Sequence, residues 1–197
     1  MRKFVELLNL DNLDNLDNVT YNTLVHWMEK GMNRFYDSLQ TTLPDLRHFK
    51  RAGGKLLHYH GESDPSIPAA SSVHYWQAVR EALYPGDEHA DKKMEAFYRF
   101  YLVPGAAHCG ANSLQPGPYP AASALMEQIF DWVEKGQAPC GLNATVASGK
   151  YKGETQLLCQ WPKRPLWRSD SEFHCVNDAA SIESWTYNLN AFRTAVY

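Results

Sequence analysis

Two residues of the chain, an aspartate and a histidine, have the side chains needed for acid–base catalysis. Asp64 lies in the turn "HGESDPSIP" and His108 in the turn "VPGAAHCGAN". In such a pair the imidazole takes a proton from a nucleophile and returns it to the leaving group, while the carboxylate fixes the tautomer of the imidazole and stabilises the imidazolium. The alternative is that Asp64 caps a helix and His108 is an ordinary hydrogen-bonded turn residue.

The nucleophile for such a pair is not evident in the sequence. The pattern G-x-S-x-G is absent, and the nearest approach to it is "GESDP", in which proline replaces the last glycine. A serine nucleophile on a strand-to-helix turn needs small neighbours and must precede the acid, whereas Ser63 is adjacent to Asp64. We therefore expect Ser63 not to be the nucleophile, and we place the nucleophilic serine outside these 197 residues.

Two other chemistries compete for the same region. His58 and His60 form an H-x-H on a predicted strand, with His74 on the following helix, and such residues can ligate zinc when a third ligand completes the site. The alternative, which we favour, is that these histidines pack against helices and that no metal is bound. Cys109 beside His108 is a candidate thiol nucleophile, but neighbouring residues rarely point at one another. A structural disulfide is the favoured role of Cys109.

The elements around these residues alternate between strands and helices. Residues 53–61, "GGKLLHYHG", and 94–105, "MEAFYRFYLVPG", are typical of buried strands. The spacing of apolar residues predicts helices at 69–84 and 124–136. Strands that alternate with helices indicate an α/β fold with a parallel sheet, in which the turns after the strands meet at one edge. An acid and then a histidine in those turns is the order of the last two triad members of α/β-hydrolases.

The two ends of the chain differ from this pattern. Residues 20–39 have helical spacing, with Asp17 or Asn18 as the expected N-cap. Two strands make a poor sheet, so we expect 1–138 to be the C-terminal portion of a larger α/β catalytic domain. Residues 139–197 show no regular period and predict an irregular extension packed on that domain.

Composition and charge exclude several classes of function. The net charge is −3 with no basic block, so we expect no nucleic-acid partner. No apolar run approaches the roughly 18 residues of a membrane span, so we expect no membrane partner either. The N-terminal "MRKFVELLNLDN" is interrupted by polar residues and has no small-residue cleavage site, so it is not predicted to be a secretory signal.

Cysteine usage and glycosylation sequons nevertheless favour secretion. The cysteines show neither CxxC spacing nor a zinc pattern, and they are Cys109, Cys140, Cys159 and Cys175. Cys159 and Cys175 lie close in sequence and predict a local disulfide. N-x-[ST] sequons occur at Asn18 and Asn143. Together these features indicate an extracellular, oxidising location.

Several stretches of the chain resemble the tannase and feruloyl esterase family of secreted serine hydrolases. They are "GGKLLHYHGESDPSIP", "FYLVPGAAHCG", "NSLQPGPYP", "LLCQWPKRPLW" and "SWTYNLNAFRTAVY". The similarity extends from about Asn18 to Tyr197. The histidine–cysteine pair is typical of the family, and the tail is similar to that of fungal tannases within it.

The resemblance implies roles for the residues named above. His108 would be the general base and Asp64 the triad carboxylate. Cys109 would form a disulfide with a cysteine beside the nucleophilic serine, which would limit drift between base and nucleophile. The implied partner is a disulfide-linked N-terminal chain that carries this serine, and Cys140 is a second candidate for an interchain bond. The nucleophile elbow, the oxyanion-hole loop and the lid, which in the family holds a structural calcium ion, are absent from these residues.

The implied function is hydrolysis of galloyl ester and depside bonds of tannins to release gallic acid, without a cofactor in this chain. One alternative is a feruloyl or related phenolic-acid esterase with the same triad. Another, from a different class, is a non-catalytic disulfide-rich binding or structural protein in which Asp64 and His108 are turn residues.

Overall fold

The computed structural model describes residues 17–38, 43–115, 117–169 and 172–185. The chain divides into two compact units, Met1–Leu43 with Asn190–Tyr197 and Pro44–Leu189. The described part of the first unit contains a helix, α1 (Tyr21–Phe35), which confirms the helix predicted at 20–39 and shortens it.

The predicted N-cap of α1 is wrong by two to three residues. Thr20 is the cap: its Oγ1 accepts a hydrogen bond from the Thr23 N–H at 3.2 Å, and the Thr23 Oγ1 accepts one from the Thr20 N–H. This reciprocal pair satisfies two backbone donors that the first turn of a helix leaves free. Asn18 instead lies in the preceding turn with a φ of 64°, a left-handed conformation that asparagine tolerates better than most residues.

The second unit holds most of the secondary structure. Its elements in chain order are α2 (Arg47–Arg51), β1 (Leu56–Gly61), α3 (Ala69–Leu83), α4 (Ala90–Glu95), β2 (Tyr98–Val103), β3 (Pro118–Tyr119), α5 (Ala122–Glu134), β4 (Leu142–Val146), β5 (Thr155–Leu158), β6 (Arg164–Trp167), β7 (Phe173–Val176) and α6 (Ala179–Glu183). The strands and helices predicted between residues 53 and 136 are confirmed, although the first residues predicted for the second strand form α4.

Strands β1 and β2 are parallel, as predicted, with Leu56 paired to Tyr98 and Gly61 paired to Val103. The two faces of β2 enter different parts of the core, because successive side chains of a strand point to opposite faces. Phe100 and its neighbours on one face pack with α3 around Trp76. Tyr101 and Val103 on the other face pack with residues of β4 and β5. Strand β2 is thus covered on both sides.

The expectation of an irregular extension after residue 138 is corrected by the structure. Strands β3, β4 and β5 form an antiparallel sheet, and β6 and β7 form an antiparallel pair. In β4, Leu142, Ala144 and Val146 are buried and alternate with exposed Asn143 and Thr145. An alternation this short, with no aromatic residue and a glycine on one side only, does not by itself predict a strand.

The extension packs on the α/β layer and carries the predicted local disulfide. Cys159 and Cys175 are bonded, with their Cα atoms 5.5 Å apart, which confirms that pairing. Between these cysteines, the backbone N–H of Trp161 donates to the backbone carbonyl of Phe100 at 2.8 Å. The side-chain rings of Trp161 and Phe100 also pack together, with 6.4 Å between their centroids. The boundary between 138 and 139 stays a prediction.

None of the described helices combines the length and the apolar character that a transmembrane span requires.

Candidate active site

Parallel pairing of β1 and β2 brings the turns that follow them to the same edge. The turns are joined by backbone hydrogen bonds: the Glu62 N–H donates to the Val103 carbonyl and the Ser63 N–H to the Ala106 carbonyl, both at 3.0 Å. Gly61 permits this approach, because a Cβ at that position would overlap the Ala106 carbonyl oxygen. The structure therefore places Asp64 and His108 on two turns that are fixed to each other.

Asp64 and His108 are in direct contact. His108 Nδ1 lies 2.8 Å from Asp64 Oδ2. Because an ionised carboxylate only accepts hydrogen bonds, we assign the proton to Nδ1, which leaves Nε2 of the neutral ring as an acceptor. The Asp64 side chain is 4% exposed, whereas that of His108 is 48% exposed. A buried carboxylate thus orients a ring whose opposite nitrogen is the one available to react.

The environment of Asp64 keeps its carboxyl group ionised. Burial alone would raise the pKa of Asp64, but hydrogen bonds from the Ile67 N–H, the His108 ring and the Ser66 N–H outweigh burial and hold the pKa well below 3.8. The two backbone N–H groups donate to Oδ1, at 2.7 Å from Ser66 and 3.0 Å from Ile67. One carboxylate oxygen therefore anchors the turn, and the other is directed to His108.

The neighbouring turn residue Ser63 has a different partner. Its hydroxyl donates to Oε1 of Gln115, in the loop that follows His108. The preceding residue, Glu62, accepts a hydrogen bond from Arg164 Nη2 at 3.0 Å, and both side chains are largely buried. These contacts tie the Asp64 turn to the loop after His108 and to β6.

The histidines considered as metal ligands make other contacts. His58 Nδ1 lies 2.8 Å from the Tyr98 hydroxyl, and burial, with the neighbouring His60, lowers the pKa of His58 to about 4. His60 contacts Ser72 and Ile67. Within the described ranges, no group of three or more His, Cys, Asp or Glu side chains is placed to hold a metal ion, and His74 does not complete one.

Cys109 occupies a strained backbone position. Its φ is 53°, in the left-handed region that favours glycine, and it lies in a tight turn closed by the Ala107 N–H donating to the Gly110 carbonyl at 2.9 Å. Both Cys109 and Cys140 are exposed, and neither is bonded to another cysteine of the described chain. A left-handed backbone at a residue other than glycine, asparagine or aspartate is uncommon, and such positions are concentrated at functional sites.

The two sequons are on the surface. Asn18 lies in the turn before α1, and Asn143 points outward from β4. Both asparagine side chains are exposed, so a glycan could be attached at either without a clash with the core. Occupancy of the sequons stays a prediction.

Sequence comparison decides the family. A family model described as tannase and feruloyl esterase matches residues 1–182. The chain belongs to the tannase and feruloyl esterase family. This family member is 67% identical over 198 residues to a tannase of Aspergillus oryzae and 32% identical over 181 residues to a probable feruloyl esterase of Arthroderma benhamiae. The alignments cover 99% and 88% of this chain but only 33% and 32% of those relatives, so the chain spans about a third of their length.

Solved structures of the family share the fold. A tannin acyl hydrolase from Aspergillus niger matches 94% of this chain and 34% of its own, with a TM-score of 0.84 and 46% identity. Feruloyl esterase B from Aspergillus oryzae matches 89% of this chain and 36% of its own, with a TM-score of 0.64 and 23% identity, which speaks to the fold alone. The predicted family and the mixed α/β architecture are therefore confirmed.

The sequence reasoning missed one residue of the site. His60 lies on β1 four residues before Asp64, and its Nε2 is 3.3 Å from Asp64 Oδ2. The H-x-H pattern drew attention to it as a metal ligand. One sequence feature does point to this contact: His60 is the next-to-last residue of the predicted strand, and Asp64 lies in the turn that directly follows that strand.

Proposed function

We propose that this chain supplies the acid–base half of a serine carboxylic ester hydrolase that acts on galloyl esters. The observation that carries the proposal is the 2.8 Å contact between His108 Nδ1 and the buried Asp64 carboxylate in a chain of this family. Because Nδ1 is engaged as a donor, Nε2 is the nitrogen able to take a proton from a nucleophile. The exposure of the His108 ring leaves room for that nucleophile to approach.

The proposed reaction is acyl transfer. A serine hydroxyl from the rest of the protein attacks the ester carbonyl carbon while His108 Nε2 takes the hydroxyl proton. The C–O bond to the alcohol then breaks, and Nε2 gives the proton to the departing oxygen. A water molecule then attacks the carbonyl carbon of the acyl-serine while His108 Nε2 takes a proton from it. The C–O bond to the serine breaks, Nε2 returns the proton to the serine oxygen, and gallic acid is released. Asp64 remains ionised throughout and stabilises the imidazolium that forms twice in each cycle.

The preference for galloyl over feruloyl esters rests on similarity. The relative named tannase is 67% identical to this chain, and the one named probable feruloyl esterase is 32% identical. A phenolic-acid esterase with the same triad is the alternative. Methyl gallate and methyl ferulate distinguish the two, because galloyl specificity predicts a higher kcat/KM for the gallate.

The proposed partner is an N-terminal chain that carries the serine, which makes this chain the C-terminal subunit of a secreted enzyme. Cys109 would bond to a cysteine beside that serine, and Cys140 is the second candidate for an interchain bond. The exposure of both thiols leaves them accessible to cysteines of another chain, which supports this pairing. The Cys159–Cys175 disulfide supports an oxidising, extracellular location. Among the described residues no group of three or more His, Cys, Asp or Glu side chains is placed to hold the calcium ion of the family's lid, and no step is assigned to that ion.

Substitution of the proposed base tests the proposal. His108→Ala in the complete two-chain protein should lower kcat for methyl gallate by about 1,000-fold or more, because the proton acceptor is lost. His89→Ala is the matched control, since His89 is also an exposed histidine but pairs with Glu88 away from the site. Both variants should retain wild-type secretion and thermal stability. Turnover by His108→Ala at the wild-type rate would remove the triad assignment and favour the non-catalytic reading.

A further inference from the structure

The Asp64 carboxylate has a second imidazole beside it. His60 Nε2 lies 3.3 Å from Asp64 Oδ2, the same oxygen that contacts His108. The side chains of His60 and Asp64 are 10% and 4% exposed, so this contact is shielded from water. A triad needs a single histidine on its acid, and the second one therefore calls for an explanation.

The hydrogen bonds of His60 determine which of its nitrogens carries the proton. Nε2 is 3.0 Å from the Ile67 carbonyl oxygen, which can only accept, so Nε2 must be the donor. Nδ1 is 2.7 Å from the Ser72 hydroxyl and, in the neutral ring, accepts from it. Both nitrogens are thus satisfied by a neutral imidazole, and the ring cannot turn without losing two bonds.

These bonds connect the acid to a rigid element. The Ile67 N–H donates to Asp64 Oδ1, and the Ile67 carbonyl accepts from His60. His60 therefore fixes the residue whose N–H binds the carboxylate. Ser72 lies in the first turns of α3, whose buried face is packed in the core. Contacts therefore connect α3, through the His60 ring, to the Asp64 turn. The Nε2–H of His60 also faces the negative charge of Asp64 Oδ2.

We infer that His60 is a positioning residue for the Asp64–His108 pair, which it acts on by fixing the carboxylate rather than by touching the substrate. The inference rests on the proposed esterase function. Without the His60 ring, the Ile67 carbonyl and Asp64 Oδ2 would each lose a donor, and Oδ2 would gain freedom relative to the His108 ring. A misplacement of about 1 Å at a catalytic group can cost about 100-fold in rate.

Kinetics of His60 variants in the complete two-chain enzyme test the inference, with methyl gallate as the probe. His60→Leu should lower kcat by roughly 10- to 100-fold and leave KM within about twofold, since the lost alignment matters in the transition state. His60→Gln retains an N–H donor at the end of its side chain and should restore kcat to within about threefold of wild type. His58→Leu, on the same strand face but bonded to Tyr98, should leave kcat unchanged.

A second pair of variants keeps the test valid if His60→Leu does not fold. Ser72→Ala removes the bond to Nδ1 and should lower kcat by about threefold or more, because the ring is no longer held from behind. Ser71→Ala is its control, since the Ser71 hydroxyl donates to the Pro68 carbonyl in the same turn and does not reach His60. Ser71→Ala should retain wild-type kcat.

The outcomes separate this inference from the proposed function. Loss of activity in His108→Ala establishes the base first, and an active His108→Ala would defeat the proposed function itself. With the base established, wild-type kcat in both His60→Leu and Ser72→Ala would defeat the positioning role alone. So would a His60→Gln enzyme as slow as His60→Leu, because the ring would then act through its volume and not through its N–H.

Discussion

Replacing Asp64 by asparagine changes one oxygen to an NH₂ group and should nearly abolish catalysis without loosening the turn. The Ser66 and Ile67 N–H groups, at 2.7 and 3.0 Å from Oδ1, demand an acceptor and therefore keep the amide oxygen on their side. The NH₂ group is then directed to His108 Nδ1, which must accept. It also takes the place of the oxygen that faces the His60 Nε2–H, which keeps its hydrogen bond to the Ile67 carbonyl. The His108 proton moves to Nε2, and that nitrogen can no longer take a proton from the nucleophile.

The expected loss in kcat is about 10,000-fold, the scale found when a triad aspartate is replaced by asparagine and the histidine is held in the wrong tautomer. KM should change little, because the amide occupies the same space and does not contact the substrate. Initial rates on methyl gallate, with thermal unfolding of the same samples, measure both effects. Asp178→Asn is the matched control: Asp178 also accepts a backbone N–H, from Ser181 at 2.7 Å at the N-terminus of α6, and asparagine caps a helix equally well.

Asp64→Asn with a kcat within threefold of wild type would refute the reasoning, because the carboxylate would then not set the His108 tautomer. Loss of activity together with a large fall in unfolding temperature would instead contradict the assumed orientation of the amide. The backbone donors would then not be satisfied by the amide oxygen, and the orientation argument would fail.

Two further predictions concern stability. The double variant Cys159→Ser, Cys175→Ser should lower the free energy of unfolding by about 3 kcal/mol, because the disulfide closes a loop with a sequence separation of 16. Urea denaturation measures the change, and a loss below about 1 kcal/mol would contradict the prediction. Burial lowers the pKa of His58 from 6.5 to about 4, so the unfolded chain binds a proton that the folded chain refuses. Stability should therefore fall by up to about 3 kcal/mol between pH 6.5 and 4, and His58→Leu should reduce this loss; an equal loss in the variant would contradict it.

The contact between Asp64 and His108 could be predicted from sequence because it depends on topology. Two buried runs separated by a helix indicate parallel strands, and the turns after parallel strands meet at one edge. Long-range structure thus followed from local patterns, without knowledge of any side-chain contact. The 2.8 Å distance itself depends on Gly61 and on the backbone bonds between the turns, which no periodicity reveals.

The parts that could not be predicted depend on short or non-local features. Strand β4 has five residues and is stabilised by pairing with β3 and β5. The sequence of β4 alone does not indicate that these partners exist. The N-cap of α1 was misplaced because Asn18 and Thr20 are both good capping residues, and the choice depends on the reciprocal bonds with Thr23. The H-x-H pattern predicts His60 as a packed, hydrogen-bonded strand residue, but its place beside Asp64 depends on bonds to Ser72 and Ile67 that exist only in the folded turn.

The most direct test of the central claim is identification of the serine that works with His108. The complete purified protein would be labelled with a fluorophosphonate, which reacts with activated serines, and digested without reduction. We expect one labelled serine, on a peptide that is disulfide-bonded to the peptide containing Cys109. No labelled serine, or Cys109 recovered as a free thiol or bonded to Cys140, would contradict it.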